Sequence, residues 1–487
     1  MGKQLTASSS EGTIGHVHDW TDETETLATE VLAYTVDRLH LRPVPLDGPR
    51  SPEELAADVG QTITEDGIGG KRALELFAAK LAPACISIDH PRYFSFIPCA
   101  PTPASTLFDL VVGASSIYGG SWLEGAGAVY AENQALAWLA GLAGLPPSAG
   151  GVFVQGGTLA NLSALVAARH AARQEKGPFA GPSGGAPGPD GGGSGRFAVV
   201  ASAEAHSSIV SAARAMDVEV VEVPGDDDGR LTGTAVAQAL EETAEDSRDT
   251  RPLRVFAVVA TAGTTNLGIV DDLAGVGQAA REAGVWFHVD GAYGGAALAA
   301  PSARALFAGV ELADSFVVDP HKWLFAPFDC AALLYREPEL ARDAHAQHAS
   351  YLEPLRTGGE WSPSDFALHL TRRARGLPFW FSLAAYGTAS YSAAIERTLS
   401  VARHAARSVA RRKDVLELVM EPMLSIVAFR RLGWAPADYY SWSEELLKSG
   451  TAFVVPSTHA GETLIRIAVV NPRSTEEDVD AVLDSLS

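Results

Sequence analysis

Cysteine is scarce in this chain of 487 residues: Cys85, Cys99 and Cys330 are its only three, and no two form a CxxC pair. An odd number of widely spaced thiols excludes a disulfide framework and a zinc knuckle, and it fits a reducing compartment. Positive charge is also short. Against 59 Asp and Glu stand 37 Lys and Arg, a net charge of −22, and no long basic tract interrupts the excess. Such a surface repels a phosphodiester backbone, so a nucleic-acid partner is not expected. No segment runs for about 18 apolar residues, the length a membrane helix needs. The opening MGKQLTASSSEGTIGHVHDW lacks the apolar stretch of a secretory signal, so a cytoplasmic chain with no membrane partner is expected. His16 and His18 have a metal-compatible spacing but sit in a polar tail, and no metal site is expected.

What the chain has is a hydrophobic share of 47% beside 20% charged residues. That is the balance of an ordinary globular protein, and the length allows about two to four structural units. Leu27, Val31, Leu32, Val36 and Leu39 recur at helical spacing, which predicts an N-terminal helix over 23–40. The stretch 177–195, GPFAGPSGGAPGPDGGGSG, is Gly/Pro-rich and offers nothing to pack, so it reads as a surface insertion. Between about 150 and 336, short apolar runs alternate with amphipathic segments: VFV (152–154), FAVVAS (197–202), VFAVVAT (255–261), VWFHVD (285–290), SFVV (315–318) and AALLY (331–335). This order predicts an α/β fold, a mostly parallel sheet covered by helices on both faces, with a ligand where the strands end. Beyond a helical zone at 380–412 the pattern changes to a few antiparallel strands closed by a C-terminal helix, a second, smaller domain.

Three features bear on chemistry. GGTLANL follows a strand and opens a helix, with Thr158 placed as N-cap; the N–H groups of Gly157 and Thr158 and the helix dipole suit an anion such as phosphate. In VWFHVDGAYGG, Asp290 ends a very apolar strand, and in SFVVDPHKWLF, Lys322 follows another. Singly, each also fits a structural part: a helix cap, a turn carboxylate, a solvated loop lysine. Together they converge on one sheet edge and supply what pyridoxal 5′-phosphate needs: a phosphate anchor, an acid against the pyridine nitrogen and an amine for a Schiff base.

The ordered set HPRYFSFIP, GGTLAN, AHSSI, ATAGTTNLGIVDD, HVDGAYGG and DPHKWLFAPFDC resembles the group II pyridoxal-phosphate decarboxylases, which act on aromatic amino acids, glutamate and diaminobutyrate. The resemblance runs from about residue 25 to 487. It implies a fold type I enzyme with a seven-stranded sheet, divided as an N-terminal helical segment (1–95) packing on a partner subunit, a large cofactor domain (96–400) and a small α+β domain (401–487). It also implies Lys322 as the Schiff-base lysine, Asp290 at the pyridine nitrogen, His206 stacked on the ring with Ala292 against its other face, and Gly157 and Thr158 at the phosphate. The resemblance further implies His321 and Thr265 beside the cofactor, with Asp271 supporting the turn. Asp319 departs from the pattern, since several relatives carry Asn there and a carboxylate repels a phosphate; it is assigned to His321 instead. Tyr351, on a loop reaching over the neighbour's site in a homodimer, matches the tyrosine that protonates Cα; relatives with Phe there tend to be aldehyde synthases.

The same resemblance places the substrate pocket at Phe96, Ile97, Pro98, Cys99, Tyr118 and Gly120, an apolar lining without an evident Arg or Lys. An unpaired buried carboxylate costs several kcal/mol, on the order of other unpaired ions, so glutamate is disfavoured. Decarboxylation of an aromatic L-amino acid to its amine is the expectation. Gly120 and Thr371 give conflicting indications among tryptophan, tyrosine and phenylalanine, and diaminobutyrate or oxidative aldehyde formation remain the alternatives.

Overall fold

In the computed structural model, residues 16–180, 196–245, 253–347, 350 and 360–487 are described; Tyr351 and most of the Gly/Pro insertion lie outside them. Contacts divide the chain into two units, residues 1–87 and 88–487. In the first, α1 (Asp22–His40) begins at Thr21, whose hydroxyl accepts the N–H of Thr24, and carries three acids in its first turn. Two shorter helices follow, α2 (Pro52–Val59), opened by a capping box between Ser51 and Glu54, and α3 (Gly70–Leu76).

The second unit is built on a seven-stranded sheet: β1 (Gly150–Val154), β2 (Arg196–Ser202), β3 (Glu219–Val223), β4 (Leu253–Thr261), β5 (Trp286–Asp290), β6 (Ser315–Val318) and β7 (Ala331–Tyr335). Their spatial order is β1-β7-β6-β5-β4-β2-β3, and only β7 runs against its neighbours. Every residue of β5, β6 and β7 is buried, as strands covered on both faces require. Helices α4 (Pro103–Ala114) and α5 (Trp122–Leu142) precede the sheet, and α6 (Gly157–Gln174), α7 (Ser207–Met216), α8 (Gly233–Glu245), α9 (Leu273–Ala283) and α10 (Pro338–His345) connect or follow its strands. α6 packs across β4 to β7 and on α7 and α10, whereas α8 and α9 pack on each other and on β4.

α11 (Leu377–Tyr386) and α12 (Thr388–Arg411) lead to an antiparallel sheet of β8 (Leu416–Leu418), β9 (Ile426–Arg431), β10 (Pro456–His459) and β11 (Glu462–Ala468), in the order β10-β11-β9-β8. Helix α13 (Pro436–Lys448) lies between β9 and β10, and α14 (Glu476–Asp484) closes the chain. Phe94 and residues of α12, α13 and α14 form the core around this sheet.

Three sequence expectations need correction. β3, EVVEV, was missed because Glu219 and Glu222 break up the apolar run of an edge strand. The N-cap of α6 is Gly156, at φ 155°, so Thr158 lies inside the first turn and caps nothing. The insertion does pack at its start, where Phe179 is buried with the Arg254 guanidinium 5.8 Å from its ring centre. Among the described residues, no helix is long and apolar enough to cross a membrane.

Candidate active site

The carboxyl ends of the parallel strands meet in one cavity of ≈ 600 Å³. β1 delivers Gly157 and Thr158, β2 leads to His206, the turn after β4 brings Thr265, β5 ends on Asp290 with Ala292 behind it, and the loop after β6 carries Asp319, His321 and Lys322. Register explains the convergence, because Asp290 pairs with Thr261 on one side and Val317 on the other. Phe96 and Ile97 also line the cavity. Pro98, Tyr118 and Gly120 are not among its lining residues: the Tyr118 hydroxyl donates instead to the carbonyl of Leu370 at 3.0 Å. Among the described residues, no group of side chains is arranged to hold a metal ion.

Asp290 is nearly buried, and both its oxygens are engaged. Oδ1 accepts the N–H of Ala292 at 3.0 Å and Oδ2 accepts the Asn161 amide at 2.8 Å. Asn161 projects from the second turn of α6 and also donates to Ser208 Oγ at 2.9 Å, while its own oxygen is 2.9 Å from His288 Nε2. Burial lowers the His288 pKa to about 4, so the ring is neutral near pH 7, and facing an amide oxygen its Nε2 carries the proton. His206 is the N-cap of α7, where Nδ1 accepts the N–H of Ser208 at 3.2 Å; its exposed ring still lines the cavity.

Across the cavity, Lys322 Nζ lies 3.0 Å from Asp319 Oδ2. The same oxygen accepts the N–H of Gly157 at 3.2 Å and is 3.6 Å from His321 Nε2. His321 Nδ1 accepts the N–H of Cys330 at 2.9 Å, and burial holds the His321 pKa below the usual imidazole value. Asp319 therefore contacts Lys322 more closely than His321, to which the sequence assigned it. Asp271 stands away from the cavity lining; its carboxylate accepts the N–H groups of Leu231 at 2.8 Å and Thr261 at 2.6 Å, fixing the end of β4.

One lining residue escaped sequence reasoning. Arg466, from β11, is buried; Nη1 donates to the Phe96 carbonyl at 2.9 Å, while Nε and Nη2 have no partner. Burial lowers its pKa to about 10, still far above neutrality, so it stays cationic. Nothing in LIRIAVV announced a site, because the strand reaches the cavity only through the packing of the small sheet.

The residues fit pyridoxal 5′-phosphate. A Cβ on residue 157 would stand 3.1 Å from Ala292 Cβ and 3.0 Å from Asp319 Oδ2, so glycine keeps the helix start open beside a primary amine and a buried carboxylate. A sheet of this order with an acid ending one strand and a lysine past the next defines a pyridoxal-phosphate enzyme. The family model for the pyridoxal-dependent decarboxylase conserved domain matches residues 53–432, and the chain belongs to that family.

An aromatic-L-amino-acid decarboxylase of Bacillus atrophaeus is 27% identical over 471 residues, covering 94% of this chain and 93% of that protein. The L-2,4-diaminobutyrate decarboxylase of Rhizobium meliloti (strain 1021) is 31% identical over 434 residues, 87% of this chain and 83% of that protein. Among solved structures, Oryza sativa TDC with PLP and tryptamine superposes with a TM-score of 0.85 at 26% identity, covering 96% of this chain and 98% of that one. The chain is a pyridoxal-phosphate-dependent amino acid decarboxylase.

Proposed function

We propose that the enzyme converts an aromatic L-amino acid to its amine and carbon dioxide, acting as a homodimer. The carrying observation is Arg466: one buried guanidinium with two unpartnered N–H-bearing nitrogens faces a cavity whose exposed mouth residues include Phe96 and Phe328. A single buried cation of this kind suits one carboxylate, that of the amino acid, and the two phenylalanines suit an apolar side chain.

When bound, the cofactor supplies a pyridinium ring that accepts the electron pair released as the carboxyl group leaves. Lys322 is the residue that would hold it covalently, Gly157 and Thr158 would hold its phosphate, and Asp290 would keep its ring nitrogen protonated. His206 would cover one face and Ala292 the other, with Thr265 and His321 at its edge. Arg466 orients the substrate carboxylate, and Tyr351 delivers the proton that Cα needs after carbon dioxide departs. Exposed apolar side chains on one face of α4, Leu107, Leu110 and Val111, support burial against a second copy.

A second reading, diaminobutyrate as substrate, has Asp329 in its favour, since this carboxylate also lines the cavity. Asp329 is already paired with Arg375, which leaves it poorly placed for a second cation. The test is a panel of amino acids given to the holoenzyme while carbon dioxide, amine, ammonia and peroxide are followed. Aromatic turnover without peroxide is expected. Turnover confined to diaminobutyrate would replace the substrate assignment, and peroxide and ammonia in step with carbon dioxide would make the enzyme an aldehyde synthase.

A further inference from the structure

Asp319 occupies an unusual place for a carboxylate. It is 1% exposed and lines the cavity, and it stands at the start of α6, where a phosphate is expected. Its N–H is spent on the Ala292 carbonyl, which fixes the backbone at 3.0 Å. Oδ2 takes the first N–H of α6 and the Lys322 amine, while Oδ1 has no partner at all. The N-cap of α6 is a glycine without a side chain to offer, so the orphan N–H at this helix start is served from across the cavity. A buried carboxylate survives only with such partners, and a helix N-terminus and an amine are the partners an anion seeks.

The two groups Asp319 holds are the two that the cofactor needs, the phosphate cradle and the lysine. We propose that Asp319 is the resident counter-ion of this site. Its Oδ2 pairs with the Gly157 N–H and the Lys322 amine, and an entering phosphate meets its negative charge, so Asp319 sets how tightly and how fast the phosphorylated ligand is captured. The proposal rests on the reading of this cavity as the cofactor site. It makes Asp319 a positioning residue whose removal strengthens anion binding, the reverse of what loss of a phosphate ligand would do.

The test uses the full chain freed of cofactor, as wild type, Asp319→Asn and Asp319→Ser, with inorganic phosphate titrated by calorimetry. Pyridoxal 5′-phosphate is then added while its visible band is followed. Removing one negative charge from a partly dry site is expected to tighten phosphate binding by about tenfold or more, and the band should form faster. A side chain with only a structural part would shift the melting temperature without tightening phosphate. Equal or weaker phosphate binding in the two variants, with a normal band in the wild type, would overturn the counter-ion role alone. No band in the wild type would defeat the cofactor-site reading on which it rests.

Discussion

Asn161 illustrates how much of the site depends on donor and acceptor bookkeeping at single atoms. Its oxygen meets His288 Nε2 at 2.9 Å, and its amide nitrogen serves Asp290 at 2.8 Å and Ser208 at 2.9 Å. Behind it, His288 Nδ1 faces Ser315 Oγ at 2.7 Å, and the Trp286 indole donates to that same hydroxyl at 2.8 Å. With the His288 proton on Nε2, Nδ1 accepts from Ser315 and the indole donates to Ser315, so each link fixes the direction of the next. The motif GGTLAN was legible, but not this residue's part in it, because its partner His288 is 127 positions away and no periodicity reports a side-chain amide's orientation. Truncation to Ala removes a hydrogen bond from each of three buried groups, Asp290, Ser208 and His288, at about 1–3 kcal/mol for a group left unsatisfied. Asn161→Ala should therefore raise the cofactor dissociation constant by about tenfold or more, read from its visible band. An unchanged constant would show that Asp290 is oriented without it.

At the level of elements, the strands buried on both faces were the most readable part of the sequence. SFVV and AALLY coincide with β6 and β7, since a short, wholly apolar run bounded by loop residues has few other uses. β3 and β8 were missed, the first half-exposed and acidic and the second three residues long. Arg466 was missed for another reason: alternation along β11 tells which face a residue takes, not which cavity that face will line. The join between β4 and the loop after it depends on Asp271, whose pKa burial raises to about 7 against the pull of two backbone N–H donors.

The sign of the resulting pH dependence follows from linkage. Below about pH 4 the group is protonated in both folded and unfolded chains. Between there and about 7 the unfolded chain has released the proton that the fold retains, so stability from this group declines as pH rises. Above about 7 both forms are ionised and the decline stops. Denaturant midpoints of the wild type should fall across this window relative to Asp271→Asn, which lacks the group and is also less stable at low pH through one lost N–H acceptor. Parallel curves would contradict the assignment.

For the molecule as a whole, the site described within one chain is open on the side of Phe96 and Phe328, which are 60% and 55% exposed beside the cavity. The proposed homodimer, with Tyr351 serving the neighbour's site, would close that mouth from outside, and α4 exposes Leu107, Leu110 and Val111 on one face. If the loop acts between subunits, Lys322→Ala and Tyr351→Phe chains spoil the same site of a mixed dimer. One site then lacks both groups and the other lacks neither. Each variant alone should form no amine. Dissociated and reassociated at equal amounts, they should recover up to about one quarter of wild-type amine formation, because half the dimers are mixed and each of those has one intact site. Within Tyr351→Phe dimers, oxygen and water should instead be consumed, with aldehyde, carbon dioxide, ammonia and peroxide released in equal amounts. A mixture that forms no amine, while native mass spectrometry finds mixed dimers, would place Tyr351 at the site of its own chain and leave the open mouth to be closed by other residues.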